Sequence, residues 1–382
     1  MKGTRLSGGR RLSDELRLTL TLLLLGSVLL AATTVLRGYS WKELGSYGDA
    51  PDYLEQARTF RPGPHHMPLY GWTVGALHLI AFHALPIEAV GVAVSFASLI
   101  LTAHVLRAVL RLDGVPPRRA FLIVLALSLF PARHFVYATR ILADSMAFLL
   151  AALGYLFLRR GQGHRANLCL CGAALTHDFA AVLWIPAAMD HVRRRSWGPL
   201  ISSPLIFLPS LALILVRIFS SDGVSRFQYG GRPIFTLPLF GLLRPPFEQL
   251  WLNAGFYASF AAYGILYGWA FYRCARSESR EAFWFSVTPF LVLLSLREYV
   301  LYYAFDRFLA LSFPVLVALL AEADLRRFRV RAVVAFHALL CLASTAYFVW
   351  SFPSSDVRER FQKSTRPRIQ VAPVLHISED RP

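Results

Sequence analysis

Apolar runs long enough to cross a membrane recur from Leu18 to Trp350, and the breaks between them are short and rich in arginine. A spanning helix needs roughly 20 mostly apolar residues. Eleven segments fit: 18–36, 87–106, 120–134, 141–158, 166–177, 178–192, 199–217, 251–272, 283–300, 308–324 and 332–350. The pattern predicts an all-α, polytopic membrane protein whose residues 1–350 form one transmembrane domain. The first run is too long for a signal-peptide core and lacks a small-residue cleavage site, so it is expected to stay as the first span. Two runs, 166–177 and 178–192, are short for a crossing; they are expected to form a hairpin with Thr176-His177-Asp178 at its tip. Residues 351–382 are polar, with scattered prolines and both charge signs, and read as a loosely ordered tail.

Composition agrees: 55% of the side chains are hydrophobic and only 16% are charged, with a mean hydropathy of +0.47. That is more apolar surface than a soluble core needs. A formal net charge of +17 would ordinarily point to nucleic acid, but these cations cluster at the ends of apolar runs, where they act as an orientation signal. No nucleic-acid partner is expected. The four cysteines, Cys169, Cys171, Cys274 and Cys341, have no histidines at zinc spacing and are expected to be free structural thiols.

The same arginines decide how Pro68–Leu85 lies. If it does not cross, residues 1–17, 107–119, 159–165, 193–195, 273–280 and 326–331 face one side and carry 22 of the 40 Lys and Arg. The opposite loops, 37–86, 132–143, 218–250 and 297–307, carry 11 over a longer stretch of chain. Were it to cross, the later arginine clusters would fall on the exterior, against the positive-inside bias. Pro68–Leu85 is therefore read as an interfacial or re-entrant helix, with the N-terminus cytoplasmic and the C-terminus exterior.

With that sidedness, the ionisable groups inviting chemistry collect on the exterior. The long first loop, 37–86, holds Asp49, Asp52 and Glu55 in a short amphipathic helix. Asp144 opens a span one turn beyond Arg140, where a carboxylate is costly unless paired or facing a wet cavity. His177-Asp178 forms the hairpin tip, and Arg297, Asp306 and Arg307 cap two neighbouring spans, where arginines suit a phosphate. Simpler roles compete: helix capping for Asp49 and Asp52, an ion pair with Arg140 for Asp144, interfacial anchoring for Arg307. His65 and His66 are the pair a metal would recruit, but neighbouring loop histidines point apart and no carboxylate lies at ligand spacing.

The order of these pieces resembles the GT-C superfamily of membrane glycosyltransferases, in particular the protein O-mannosyltransferase and lipid A aminoarabinose transferase branch. The resemblance covers most of residues 18–324 and rests on five features. Asp49 precedes Tyr53 by four residues in the first exterior loop. His66-Met67-Pro68-Leu69-Tyr70 leads into surface helices, and Asp144 opens the fourth span. The segment AALTHDFAAVLWIP resembles the family's hairpin tip, with His177 in place of its basic residue, and Asp306-Arg307-Phe308 through Pro314 resembles an Arg-Tyr motif without the tyrosine. The resemblance implies a bacterial inner-membrane enzyme that moves a sugar, with inversion, from a polyprenyl-phosphate carrier to a glycan, lipid or protein acceptor on the exterior face. It makes Asp49 the base, with Asp52, Tyr53, Asp144 and His177 supporting the site. Arg307 would meet the departing phosphate, with Arg297, Arg232 and Arg244 behind it. No cofactor is called for beyond, at most, a divalent metal, and membrane lipids surround the chain. A transporter or lipid flippase, and a non-catalytic protein of the same fold, are the alternatives.

Overall fold

The computed structural model describes residues 8–35, 49–63, 66–81, 83–128, 138–219, 228–229, 232–233, 250–277, 280–296 and 308–322, with positions 239, 241, 335 and 339. Its regular structure is helical as expected, save a two-residue antiparallel ladder pairing Gln228 with Pro233 and Tyr229 with Arg232. The predicted span 332–350, beyond positions 335 and 339, and the tail 351–382 lie outside the described residues.

After α1 (Gly8–Val35), the first long loop contains two short helices, α2 (Ala50–Thr59) and α3 (Leu69–Ile80). The 12 residues of α3 rise about 18 Å, well under the roughly 30 Å of bilayer hydrocarbon. Next come α4 (Ile87–Leu112), begun at Pro86, and α5 (Pro117–Ser128). The helices α6 (Asp144–Arg159) and α7 (Gly163–Thr176) follow, and a 3-10 turn over Asp178–Leu183 leads into α8 (Trp184–Arg193). The predicted hairpin tip is this turn: α7 stops at His177, whose extended backbone breaks the helix. The remainder is α9 (Trp197–Phe219), α10 (Leu250–Arg276), α11 (Arg280–Leu294) and α12 (Phe313–Glu322).

Three arginine-rich helix ends close in the same way. At the end of α4, Val115 N–H bonds the Leu110 carbonyl and Gly114 N–H bonds Arg111, with Gly114 in the left-handed region at φ +70°. Gln162 and Gly161 repeat this on α6, and Ser196 and Arg195 on α8. This paired closure satisfies the last carbonyls of a helix and normally takes glycine at the left-handed position. Arg195 occupies that position at φ 54° without being glycine.

These ends lie together. Asp14 and Glu15 of α1 meet Arg107 and Arg111 of α4, at 3.7 and 3.0 Å, and Asp113 meets Arg159 at 2.6 Å. Glu281 at the start of α11 takes Arg159 at 3.4 Å, Arg193 at 2.8 Å and Arg194 at 2.7 Å, while Arg273 reaches Glu322 at 3.7 Å. Ion pairs thus knit four of the six segments that the charge pattern groups together into a charged pole, with Glu281 directly following a fifth.

Among the described residues two helices are long and apolar enough to cross a membrane, Ile87–Leu112 and Trp197–Val216. Only 17% of the second is buried within the protein, and it presents Ile201, Leu205, Leu208 and Val216 outward. A contiguous apolar face of that size calls for an apolar neighbour. The main core joins α1 and α4 to α12. A smaller core holds Tyr53, Leu54 and Ala57 of α2 with Tyr70 and Val74 of α3, the start of α4, and Ile141 and Ala143 ahead of α6. This second core carries the candidate site.

Candidate active site

The two short helices of the first loop meet at glycine. A Cβ on Gly75 would lie 2.2 Å from the Ala57 carbonyl oxygen, and one on Gly71 would lie 2.9 Å from that of Tyr53. The Gly71-Trp72-Thr73-Val74-Gly75 spacing puts both glycines on one face of α3 and lets the α2 backbone lie directly against it. On α2, Tyr53 is buried and packs edge-on against Tyr70 of α3, ring centres 5.0 Å apart. Gln56, also buried, donates from Nε2 to the His66 carbonyl at 2.9 Å, fixing the chain between the helices.

The acidic end of α2 is thereby aimed at an imidazole. Asp49 occupies the N-cap position, yet its carboxylate makes no capping hydrogen bond. Its Oδ1 lies 3.7 Å from His66 Nε2, and Oδ2 of Asp52 lies 3.4 Å from the same nitrogen. The His66 ring packs on Tyr53 with centroids 4.8 Å apart. Burial pushes the His66 imidazole below its ordinary value, against the opposing pull of Asp49 and Asp52. The neutral form of His66 is therefore favoured at pH 7, with the two carboxylates beside its ring.

His177 and Asp178 at the hairpin tip are within electrostatic range of His66, the first opposing and the second favouring its protonation. The Phe179 N–H donates to Asp178 Oδ1 at 2.9 Å, and His177 Nδ1 lies 3.3 Å from that oxygen. Phe308 is held against the tip, stacked on Phe179 at 3.8 Å and meeting the His177 ring edge-on at 5.5 Å. The position where the family motif has tyrosine is thus a hydrophobic clamp on the hairpin.

Tyr70 Oη lies 2.8 Å from the Gly91 carbonyl and 2.7 Å from Ser95 Oγ, which in turn donates to the Leu142 carbonyl at 3.0 Å. Burial raises the Tyr70 phenol well above its ordinary value; the Ser95 hydroxyl opposes this and the charge of Asp144 adds to it. Tyr70 therefore stays protonated and ties α3 to α4 and to the segment preceding Asp144.

Of the residues singled out in the sequence, Asp49, Asp52, Tyr53 and His66 come together, with His177 within electrostatic range of His66 and Asp144 within electrostatic range of Tyr70. Arg232 falls in the short ladder and its side chain is outside the described residues, as are His65, Arg244, Arg297 and Arg307. Gln56, Tyr70 and the two glycines were not singled out. The Gly-x3-Gly spacing was a legible signal, whereas the reach of Gln56 to a backbone carbonyl was not. Among the described residues, no three His, Cys, Asp or Glu side chains are placed to hold a metal ion. No protein-family model, curated protein or solved structure matches the chain.

Proposed function

We propose that this chain is a polytopic membrane glycosyltransferase of the GT-C type, its eleven spans arranged with the N-terminus in the cytoplasm and the site on the exterior face. It moves a sugar from a polyprenyl-phosphate carrier to a hydroxyl acceptor. The observation that supports the proposal is a cluster: Asp49 and Asp52 from the first loop flank His66, with His177 and Asp178 of the hairpin within electrostatic range, away from the pole where the arginine-rich turns are paired.

In this reading Asp49 accepts the acceptor's hydroxyl proton as that oxygen attacks the anomeric carbon, a task for a carboxylate within hydrogen-bond reach. The bond from that carbon to the phosphate oxygen breaks with inversion. Charge gathers on the departing polyprenyl phosphate, where cationic donors stabilise the transition state. Arg307 directly precedes the clamped Phe308 and is the first choice for that role, followed by Arg297 and Arg232. A transporter would gather its polar groups and broken helices near mid-membrane, whereas here they collect at one pole.

The test is release of free polyprenyl phosphate by the purified protein in lipid, from a panel of polyprenyl-phosphate sugars with membrane extract as acceptor. Turnover with one donor is expected, falling about 10²–10⁴-fold in Asp49→Asn. Turnover that survives this change in a folded protein sinks the assignment of the base, and absence of turnover with every donor sinks the enzyme.

A further inference from the structure

The end of α3 carries a pair of imidazoles that the proposed chemistry does not use. His83 Nδ1 lies 2.7 Å from His78 Nε2, with the rings edge-on and their centres 4.4 Å apart. The backbone sets this approach. Ala81 N–H bonds the Leu77 carbonyl at 2.9 Å, and His83 N–H reaches back to the His78 carbonyl at 3.1 Å, so the chain folds over the last turn of the helix. His83 stands in the left-handed region at φ 58°, a conformation that glycine takes more easily. A strained backbone thus presents one histidine to the other. The pair sits at the surface, with His83 exposed and His78 half-buried.

A neutral imidazole has one N–H and one lone pair. The 2.7 Å contact therefore holds a single hydrogen between two nitrogens. Without that hydrogen, two lone pairs are directed at the same small volume, the place of a cation that imidazole ligates. His78 Nδ1 is buried and has no hydrogen-bond partner, so no bond on that side fixes which ring nitrogen carries the hydrogen. The ring can keep it on Nδ1 and give Nε2 to a metal. Among the described residues no third His, Cys, Asp or Glu joins the pair, which leaves the rest of a coordination shell to water.

The separation selects the metal. With metal–nitrogen bonds of about 2.0 Å, two nitrogens at right angles around a square-planar ion are about 2.8 Å apart, and two at a tetrahedral angle about 3.3 Å. The observed 2.7 Å is close to the first, so small rotations of both rings suffice. Nitrogen and water ligands in a square or tetragonal shell suit copper(II) or nickel(II), and copper(II) is the most tightly bound of the divalent series. We propose that His78 and His83 form a two-histidine site for copper(II), with water completing the shell. The site lies at the opposite end of α3 from His66 and stands apart from the proposed catalysis.

The experiment is titration of the purified full chain with copper(II), followed by desalting and electron paramagnetic resonance. The wild type is expected to retain a copper with a tetragonal spectrum split by two nitrogens. His78→Gln and His83→Gly are each expected to weaken copper binding at least about tenfold. Glycine suits the left-handed backbone at position 83, so loss of copper in that variant is not a loss of folding. Copper stripped from the wild type by desalting overturns the site, as does equal affinity in His83→Gly, which puts the ion on other histidines. An equal concentration of zinc(II) should leave the spectrum unchanged; displacement of the copper by that zinc overturns the choice of metal.

Discussion

His66 is the residue around which the proposed chemistry turns, because two carboxylates share one of its nitrogens. Its folded value is depressed, so the neutral form favours folding above the ordinary pKa of about 6.5, and that contribution is lost as pH falls through the lowered folded value. Protonation would also tie Asp49 into an ion pair and weaken it as a base. The acid limb of kcat/KM is expected to fall below pH 6.5 and to change in His66→Gln; a profile identical in both proteins removes His66 from the mechanism. Asp52 is nearer to His66 than Asp49 is, by 3.4 against 3.7 Å, so the two carboxylates need separating by experiment. Asp49→Asn is expected to lose about 10²–10⁴-fold in turnover, and Asp52→Asn less than about tenfold; the reverse order in the same release assay would move the base to Asp52. The spacing of Asp49 and Tyr53 was legible in the sequence. Their shared partner was not, because only the fold of the loop brings residue 66 back to residue 49.

Among elements, the α2–α3 pair decides whether that cluster exists. Gly75→Leu drives a side chain into the Ala57 carbonyl. Overpacking of that kind costs about 1–3 kcal/mol, and the displaced α2 takes Asp49 with it. Lower thermal stability together with loss of turnover is expected, while Gly268→Ala, where a Cβ meets nothing within 4 Å, leaves the site undisturbed. The helix end at Arg195 offers the opposite sign. Glycine there removes the left-handed penalty and is expected to stabilise the chain by about 1 kcal/mol, read as a rise in Tm; a fall would mean the Arg195 side chain matters more than its backbone. The short amphipathic helix in the first loop and the break at His177 were both legible in the sequence. The 3-10 form of the turn was not, since the run after Asp178 carries no proline or glycine to mark it.

Over the whole molecule, charge was the most informative pattern in the sequence. Segments grouped by arginine content alone, before any fold was considered, meet through Asp113, Arg159, Arg193, Arg194 and Glu281. What charge did not convey is which segments pair, because many arginines were interchangeable as orientation signals and only packing brings Glu281 to three of them. Glu281→Gln is expected to cost about 1–2 kcal/mol, in keeping with up to about 1 kcal/mol for each partly exposed pair. The loss should shrink as salt screens the cluster; a Tm indifferent to both changes would make the network ornamental.

That same carboxylate is separated by 86 or more residues from the nearest of its three arginine partners in the chain, at 159, 193 and 194. Chains are made from the N-terminus onward, so Arg193 and Arg194 emerge with Asp190 for company, and Arg159 with Asp113, long before Glu281 exists. The early helices can therefore settle as one neutral pair and one group that keeps a single positive charge until Glu281 arrives. The start of α11 is the late fastening that draws them together, and a nascent chain halted short of residue 280 would hold both halves of the pole without the clasp between them.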